Sequence, residues 1–316
     1  MQGQQLRAAD RAFGGLLLLA LGSSALLVAL LAALLPRGVV LVTGGVADPA
    51  SVVAVLVLIL ATFGVGLGLT SLLQQLLATL WLIRTLLSRR VTVSRHVGRI
   101  AAALDLAGCI DVVRDPRPFS FCYWFRRPRI CLSTGLIKRL DDAEVRAVLL
   151  HERYHLRQRD PLRLVIARYL AAGLYVVPVV EELVDYYTVQ KEVAADRAAV
   201  RAMGGVRELA SALFKVLPGA DDGDLGLLAP VGSLSVTEAR IEQLVDGRAV
   251  PLALSRASLA LSGGALAAAA ILAFTDGLHP APLTAPALVG PVSLLLAAAA
   301  SGAAHQVRQV VPRPSR

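Results

Sequence analysis

Long apolar runs alternate with arginine-rich polar stretches along this chain, and their lengths predict most of its organisation. Phe13 to Leu35 is almost wholly apolar, long enough for a helix to cross a bilayer core, which takes about 20 residues. Pro36 and Arg37 are expected to end that helix. A secretory signal peptide is the competing reading, but its apolar core would be shorter and a second apolar run follows at once, so a retained membrane helix is preferred. The second run extends from about Ala50 to Ile83, more than a bilayer requires. Its first part is expected to span, and the part from Gln74-Gln75 to Ile83 to continue the same helix beyond the membrane. Near the end of the chain, Ser258 to Phe274 and Ala285 to Ala300, separated by Asp276, His279 and several prolines, read as a membrane hairpin. Four transmembrane helices result. Leu162 to Val180 is equally apolar, but Arg163, Arg168 and Pro178 interrupt it, and an interfacial or partly embedded helix is preferred there.

The stretches between the apolar runs carry the signals of a folded domain. Val91-Thr92-Val93 and Ile110-Asp111-Val112-Val113 have weak strand character, and Pro116 and Pro118 impose turns. Phe119 to Phe125 and Ile130 to Ser133, separated by Arg126-Arg127-Pro128-Arg129, suit the rim of a small sheet. That rim is either ordinary core or an edge that takes up an extended peptide as a further strand. Asp141 and Glu144 form a capping-box pattern ahead of Val145, Val148, Leu149 and Leu156 at helical spacing, and Asp160-Pro161 is expected to stop this helix near Arg159 and start the next. Glu181 to Met203 reads as a mixed-polarity helix closed by Gly204-Gly205, with Leu209, Leu213 and Leu217 continuing the helical pattern. The run 218–226 is expected to be a loop, and Ser235 with Glu238 a second capping box before a short helix reaching Asp246-Gly247.

Composition supports the membrane assignment. Of 316 residues, 56% are hydrophobic and 17% charged, with mean hydropathy +0.64, too apolar for an ordinary soluble domain. The formal charge of +9 raises the possibility of a nucleic-acid partner, but the arginines lie beside apolar segments and no base-reading module is present, so no direct nucleic-acid partner is expected. Arg84, Arg89, Arg90, Arg95 and Arg99 follow the second run, against a single Arg37 before it. The inside-positive bias therefore puts the N-terminus and everything after Arg84 in the cytoplasm, and Arg308, Arg313 and Arg316 put the tail there too. This divides the chain into an N-terminal membrane hairpin (1–87), a cytoplasmic, membrane-associated domain (88–250), and a C-terminal hairpin with its tail (251–316). Cys109, Cys122 and Cys131 give neither an even disulfide set nor a metal pair, and are read as free thiols.

Within the central domain lies His151-Glu152-Arg153-Tyr154-His155. On the helix that Asp141 opens, His151 and His155 stack on one face and can share a metal ion, with Glu152 beside them. Glu192 and Asp196, also at i and i+4, share a face of the later helix. Two imidazoles and one carboxylate suit Zn2+ and leave a position for water. His151, His155 and Glu192 are therefore the candidate ligands, Glu152 the candidate catalytic base and acid, and Asp196 the acceptor of a ligand histidine's other N–H. Arg240 is a candidate for steadying the substrate or an acidic group beside the metal, with surface packing as the plain alternative. Asp160 is read as a helix cap or arginine partner, and His96, His279 and His305 as surface residues.

Three stretches together resemble the BlaR/MecR family of integral-membrane zinc metallopeptidases: Arg127-Pro128-Arg129-Ile130-Cys131-Leu132-Ser133-Thr134-Gly135-Leu136; then Val148-Leu149-Leu150-His151-Glu152-Arg153-Tyr154-His155 with Arg159-Asp160-Pro161-Leu162; and Glu192-Val193-Ala194-Ala195-Asp196. The likeness is to short members without a penicillin-binding sensor domain. Glu192 with Asp196, and Ala239-Arg240-Ile241-Glu242-Gln243-Leu244, are also similar to elements of HtpX-type membrane proteases. The resemblance implies a gluzincin-like α+β metalloprotease domain with a small sheet and the H-E-x-x-H helix, peptide-bond hydrolysis, and a protein or peptide substrate. In antibiotic-sensing relatives that substrate is a cytoplasmic transcriptional repressor. The absence of room for a sensor domain leaves the stimulus open, and homodimerisation is also open. Two other classes compete: a noncatalytic signalling or scaffold protein held together by zinc, and an HtpX-like quality-control protease. A transporter would need polar groups along its spans, and the four best spans offer few.

Overall fold

The computed structural model describes residues 8–43, 49–216, 240, 251–278 and 285–310. Helices α1 (Ala8–Val42) and α2 (Pro49–Leu87) realise the first two apolar runs, and the stretches Ala8–Pro36 and Ser51–Leu87 are each long and apolar enough to cross a membrane. Leu18, Leu21, Val28, Phe63, Val65 and Trp81 point outward, where lipid tails rather than water would be their favourable neighbours. Pro36 does not end α1 as expected. A proline removes one N–H and frees the carbonyl four residues back, here that of Ala32, and an apolar helix of this length tolerates the loss.

Beyond α2 come β1 (Arg90–Val91), α3 (Arg95–Ala102), β2 (Ile110–Val113), β3 (Ser120–Tyr123), β4 (Arg129–Ser133), α4 (Thr134–Arg139), α5 (Asp142–Gln158), α6 (Asp160–Gly173), α7 (Val179–Met203), α8 (Arg207–Val216), α9 (Arg256–Leu278) and α10 (Ala285–Val310). The chain is mainly helical with one small mixed sheet. The apolar segment expected as one helix over 162–180 instead ends at Gly173, and a turn ahead of Val179 separates it from α7. The apolar parts of α9 and α10, Arg256–Leu272 and Val289–Ala304, are shorter than those of α1 and α2. The loop at 218–226, the capping box at Ser235 and Glu238, the 241–244 part of the later motif, and His279 lie outside the described residues.

Two compact units partition the chain. One comprises Phe13–Leu73, Ala167–Asp185 and Leu252–Arg316, the other Met1–Ala12, Gln74–Ile166 and Tyr186–Pro251. In the first, Leu30, Leu34, Val57, Ala265, Ala268 and Leu295 join α1, α2, α9 and α10 in one apolar cluster. Small residues let backbones approach here: a Cβ on Gly64 would sit 2.7 Å from the Gly173 carbonyl, the kind of contact by which apolar helices associate in lipid.

The second unit holds the sheet, in the order β1-β2-β4-β3. β2 and β4 run parallel in the centre, Ile110 opposite Ile130, and β1 and β3 pair antiparallel at the edges. Ile110, Val112, Ile130 and Leu132 pack with Val145 and Leu149 of α5 and Leu209 of α8. One carboxylate ties all four strands together. Asp111 on β2 accepts from Tyr123 Oη on β3 at 2.6 Å and from the forked guanidinium of Arg129 on β4, and pairs with Arg90 on β1 at 2.6 Å. A buried charge is tolerable only when so partnered. At the end of β4, Gly135 donates its N–H to the Asp115 carbonyl at 2.8 Å, and any Cβ there would collide with the Pro116 carbonyl.

α5 begins with the predicted capping box: the Asp141 side chain accepts from the Glu144 N–H, and the Glu144 carboxylate accepts from the Asp141 N–H, each at 2.9 Å. Glu144 is also held by Ser211 and Lys215 of α8, both at 2.5 Å. The helix stops at Arg159 in the left-handed conformation, φ 54, a costly geometry for a non-glycine residue. That turn sends the chain straight into α6.

Burial raises the Asp111 pKa, but hydrogen bonds from Arg129 and Tyr123 and the charges of Arg129 and Arg90 outweigh it, and the net shift is downward from 3.8. A lowered folded-state pKa means stabilisation complete above about pH 4 and lost as pH falls through the lowered value. Asp111→Asn is expected to cost about 1–3 kcal/mol at neutral pH, at the modest end because Arg90 is half exposed and can rehydrate. Thermal unfolding in detergent checks this: the gap between wild type and variant should close below pH 4, and a constant gap would contradict it.

Candidate metal centre

α5 carries His151, Glu152 and His155 on its buried face, and the leucines and valines that pack α5 against the sheet fix which way that face points. The two Nε2 atoms lie 3.0 Å apart. Glu192, from α7, places Oε2 3.4 Å from His151 Nε2 and 3.6 Å from His155 Nε2. Three ligands around a tetrahedral zinc, with bonds of about 2.0–2.1 Å, would stand about 3.3 Å from one another. The triangle observed has those dimensions, so these residues fit a divalent ion; together they are the cluster of potential metal ligands among the described residues.

Each ring is backed by a carboxylate. His155 Nδ1 and Asp160 Oδ2 share a hydrogen bond of 2.6 Å, and the other Asp160 oxygen accepts from Tyr187 Oη on α7 at 3.2 Å. His151 Nδ1 lies 2.8 Å from Asp196 Oδ1, a close ion-pair contact too far off the ring's N–H axis to count as an aligned hydrogen bond. Arg240 grips Asp196 with two hydrogen bonds of 2.7 Å. A carboxylate at Nδ1 favours the proton on that nitrogen and leaves the Nε2 lone pair facing the centre of the triangle.

Two further contacts complete the surroundings. Ser120, on the edge strand β3, donates to Glu152 Oε1 at 2.8 Å. Lys191 donates to Glu192 Oε1 at 2.7 Å. Glu152, Asp160, Glu192 and Asp196 thus face Lys191 and Arg240: four carboxylates less two cations leave two negative charges, which one divalent ion beside neutral imidazoles would cancel. The same excess of negative charge favours protonation of the imidazoles. Burial lowers the His155 pKa, but the Glu192 charge and the bonds to Asp160 and Glu192 win and push it up to about 9. His151 moves the same way, against burial, through Asp196 and Glu192. Burial would raise Glu192, yet Lys191 and the two histidines hold it well below the usual range. Metal uptake at such a site therefore releases protons.

All six residues singled out from the sequence, His151, Glu152, His155, Glu192, Asp196 and Arg240, meet here. Arg240 is seen on Asp196, the acidic-group alternative among its sequence readings, and also comes within 3.8 Å of Glu192 Oε2. Four residues that sequence reasoning missed join them. Asp160 does open a helix, but its side chain faces His155 rather than an arginine. Its position five residues past His155 was a usable signal. Lys191 was legible only as a charge beside Glu192, and Tyr187 and Ser120 carried no signal. Elsewhere His96 pairs with Asp142 at 2.6 Å, on a half-exposed surface. The three cysteines are free; burial first, then nearby carboxylates, pushes the Cys122 thiol up and that of Cys131 up to about 12, so both stay protonated and neither offers a thiolate to a metal.

Comparison with known proteins points the same way. The family model described as BlaR1 peptidase M56 matches residues 47–244. The chain is 29% identical over 158 residues to a "Protease HtpX homolog" of Moorella thermoacetica, covering 38% of this chain and 52% of that protein. It is 30% identical over 112 residues to "Plastoglobule-localized metallopeptidase 48, chloroplastic" of Arabidopsis thaliana, covering 33% of each. The matches thus span about half of the first relative and a third of the second.

Asp160→Asn turns the acceptor beside His155 Nδ1 into a group that can also donate, so the ring can take the other tautomer and protonate Nε2. Metal affinity is expected to fall about 10- to 100-fold with helicity unchanged, as read by chelator competition and circular dichroism on the purified chain. Wild-type affinity in this variant would remove Asp160 from the metal centre.

Proposed function

This chain belongs to the BlaR1 peptidase M56 family, and from that premise we propose that it is a membrane-anchored zinc endopeptidase, with His151, His155 and Glu192 as ligands and Glu152 as general base and acid. The observation that carries the reading is the triangle of donor atoms, 3.0, 3.4 and 3.6 Å on its sides, with Glu152 adjoining His151 on the same buried helix. Bound there, zinc would polarise the scissile carbonyl and make the attacking water more acidic. Glu152, held through Oε1 by Ser120, keeps its other oxygen to take a proton from that water and return it to the departing amine. Asp160 and Asp196 orient the imidazoles, and Arg240 holds Asp196 in place.

A purely structural zinc site has no use for Glu152, which weighs against a scaffold. The outer edge of β3 has no strand partner among the described residues, and Ser120 on it reaches Glu152, so an extended substrate segment pairing with β3 would present its backbone beside the base. In this reading residues 88–250 form a gluzincin-like catalytic domain on the cytoplasmic side, between the hairpins of 1–87 and 251–316, with four spans, both termini cytoplasmic and lipid as the lateral partner. The substrate is a cytoplasmic or juxtamembrane protein, with a transcriptional repressor as the first class to test. The likeness to a protein named as an HtpX homolog favours quality-control proteolysis as a second reading.

The purified chain should bind about one zinc, and Glu152→Gln should keep the metal while slowing cleavage at least about 100-fold. Comparing the proteomes of cells carrying wild type or this variant identifies the protein that persists: a single regulator supports the first substrate reading, many misfolded membrane proteins the second. Undiminished cleavage by the variant would end the proposed mechanism.

A further inference from the structure

Lys191 has no role in the mechanism above, yet it is among the least expected side chains near the metal centre. Its side chain is only 11% exposed, although a lysine on a helix can normally extend its ammonium to water. Nor is its bond to Glu192 a default of helical geometry, because adjacent residues point about 100° apart around a helix axis. The lysine must bend across α7 to bring Nζ within 2.7 Å of Glu192 Oε1. The two carboxylate oxygens are thereby given different partners. Oε2 faces His151 Nε2 and His155 Nε2, and Oε1 faces the ammonium. Asp160 and Glu152 add their fields at Lys191, which keeps the buried cation in place.

We propose that Lys191 is a positioning residue that makes Glu192 a one-oxygen ligand. With Oε1 engaged by the ammonium, Glu192 can offer the metal Oε2 alone, and the coordination position that a second oxygen would fill stays free for water and then for the substrate carbonyl. The inference rests on the zinc-peptidase reading and assigns a further residue to the same site. Removing the ammonium frees Oε1 to turn inward and chelate, which raises the coordination number and crowds out water. A lysine that merely fills space or adds stability would change none of this.

The test is X-ray absorption at the zinc edge on the purified, zinc-loaded full-length chain in detergent, backed by visible absorption after cobalt replacement. Wild type should show four nitrogen or oxygen neighbours with a one-oxygen carboxylate. Lys191→Met, which keeps the length and loses the charge, should show a two-oxygen carboxylate and weaker cobalt bands. Its kcat should fall about 10- to 100-fold with KM little changed, and Lys191→Arg should recover the wild-type spectrum. A two-oxygen Glu192 in the wild type, or identical spectra in wild type and Lys191→Met, overturns the proposal while leaving the peptidase reading intact. The wild-type spectrum decides even if Lys191→Met cannot be purified folded. Failure of the wild type to take up one metal per chain would instead sink the peptidase reading, and this inference with it.

Discussion

Everything at the centre of this molecule follows from the imbalance of charge around two imidazole rings. Glu152, Asp160, Glu192 and Asp196 are brought together out of water, and Lys191 and Arg240 answer only half of their charge. Protein interiors do not tolerate such an excess without a counter-charge, and the geometry shows where that charge belongs: between two ring nitrogens and one carboxylate oxygen at the spacing of a tetrahedral ion. The same carboxylates raise the pKa of both histidines above the usual imidazole range, against the effect of burial. The arrangement thus suits a divalent ion by electrostatics as well as by motif.

The surrounding fold exists to hold those groups still. α5 is fastened at its start by the Asp141–Glu144 box and by Ser211 and Lys215 on Glu144, at its side by the sheet, and at its end by the left-handed Arg159. That last turn has a direct chemical consequence, since it folds Asp160 back to His155 within five residues. The sheet is pinned through Asp111, which fixes the register of β3 against β4 and with it the position of Ser120 over Glu152. α7 then supplies Tyr187, Lys191, Glu192 and Asp196 from successive turns. The same helix therefore gives one candidate ligand, the carboxylate behind His151 and the hydroxyl that holds Asp160, so a small rotation of α7 would disturb them all together.

Agreement between sequence and structure was best where signals were local. The capping box, the i, i+4 histidines, the paired Glu192 and Asp196 and the stop at Gly204 all depend on side chains within a turn or two, and each appears where expected. The strands were legible as short β-branched or aromatic runs, but their order was not, because β2 pairs with β4 across an intervening strand. Short helices α3 and α4 escaped notice, their N-caps Ser94 and Ser133 being too weak a signal over so few residues. Two apolar boundaries differ from expectation in opposite directions: Pro36 does not stop a long apolar helix, and Gly173 ends one in a segment that hydrophobicity alone makes continuous.

By itself the sequence determined the helix types, the apolar spans and the identity of the candidate ligands and base, since these are set by periodicity and by the chemistry each side chain carries. Only the tertiary structure decided that Arg240 grips Asp196, that Ser120 reaches Glu152 and that Tyr187 reaches Asp160. The physical reason is that hydrogen bonds and ion pairs act over about 3 Å. Which groups come that close depends on how α5, α7 and the sheet pack, and no spacing along the chain encodes the packing of elements that meet only when it folds.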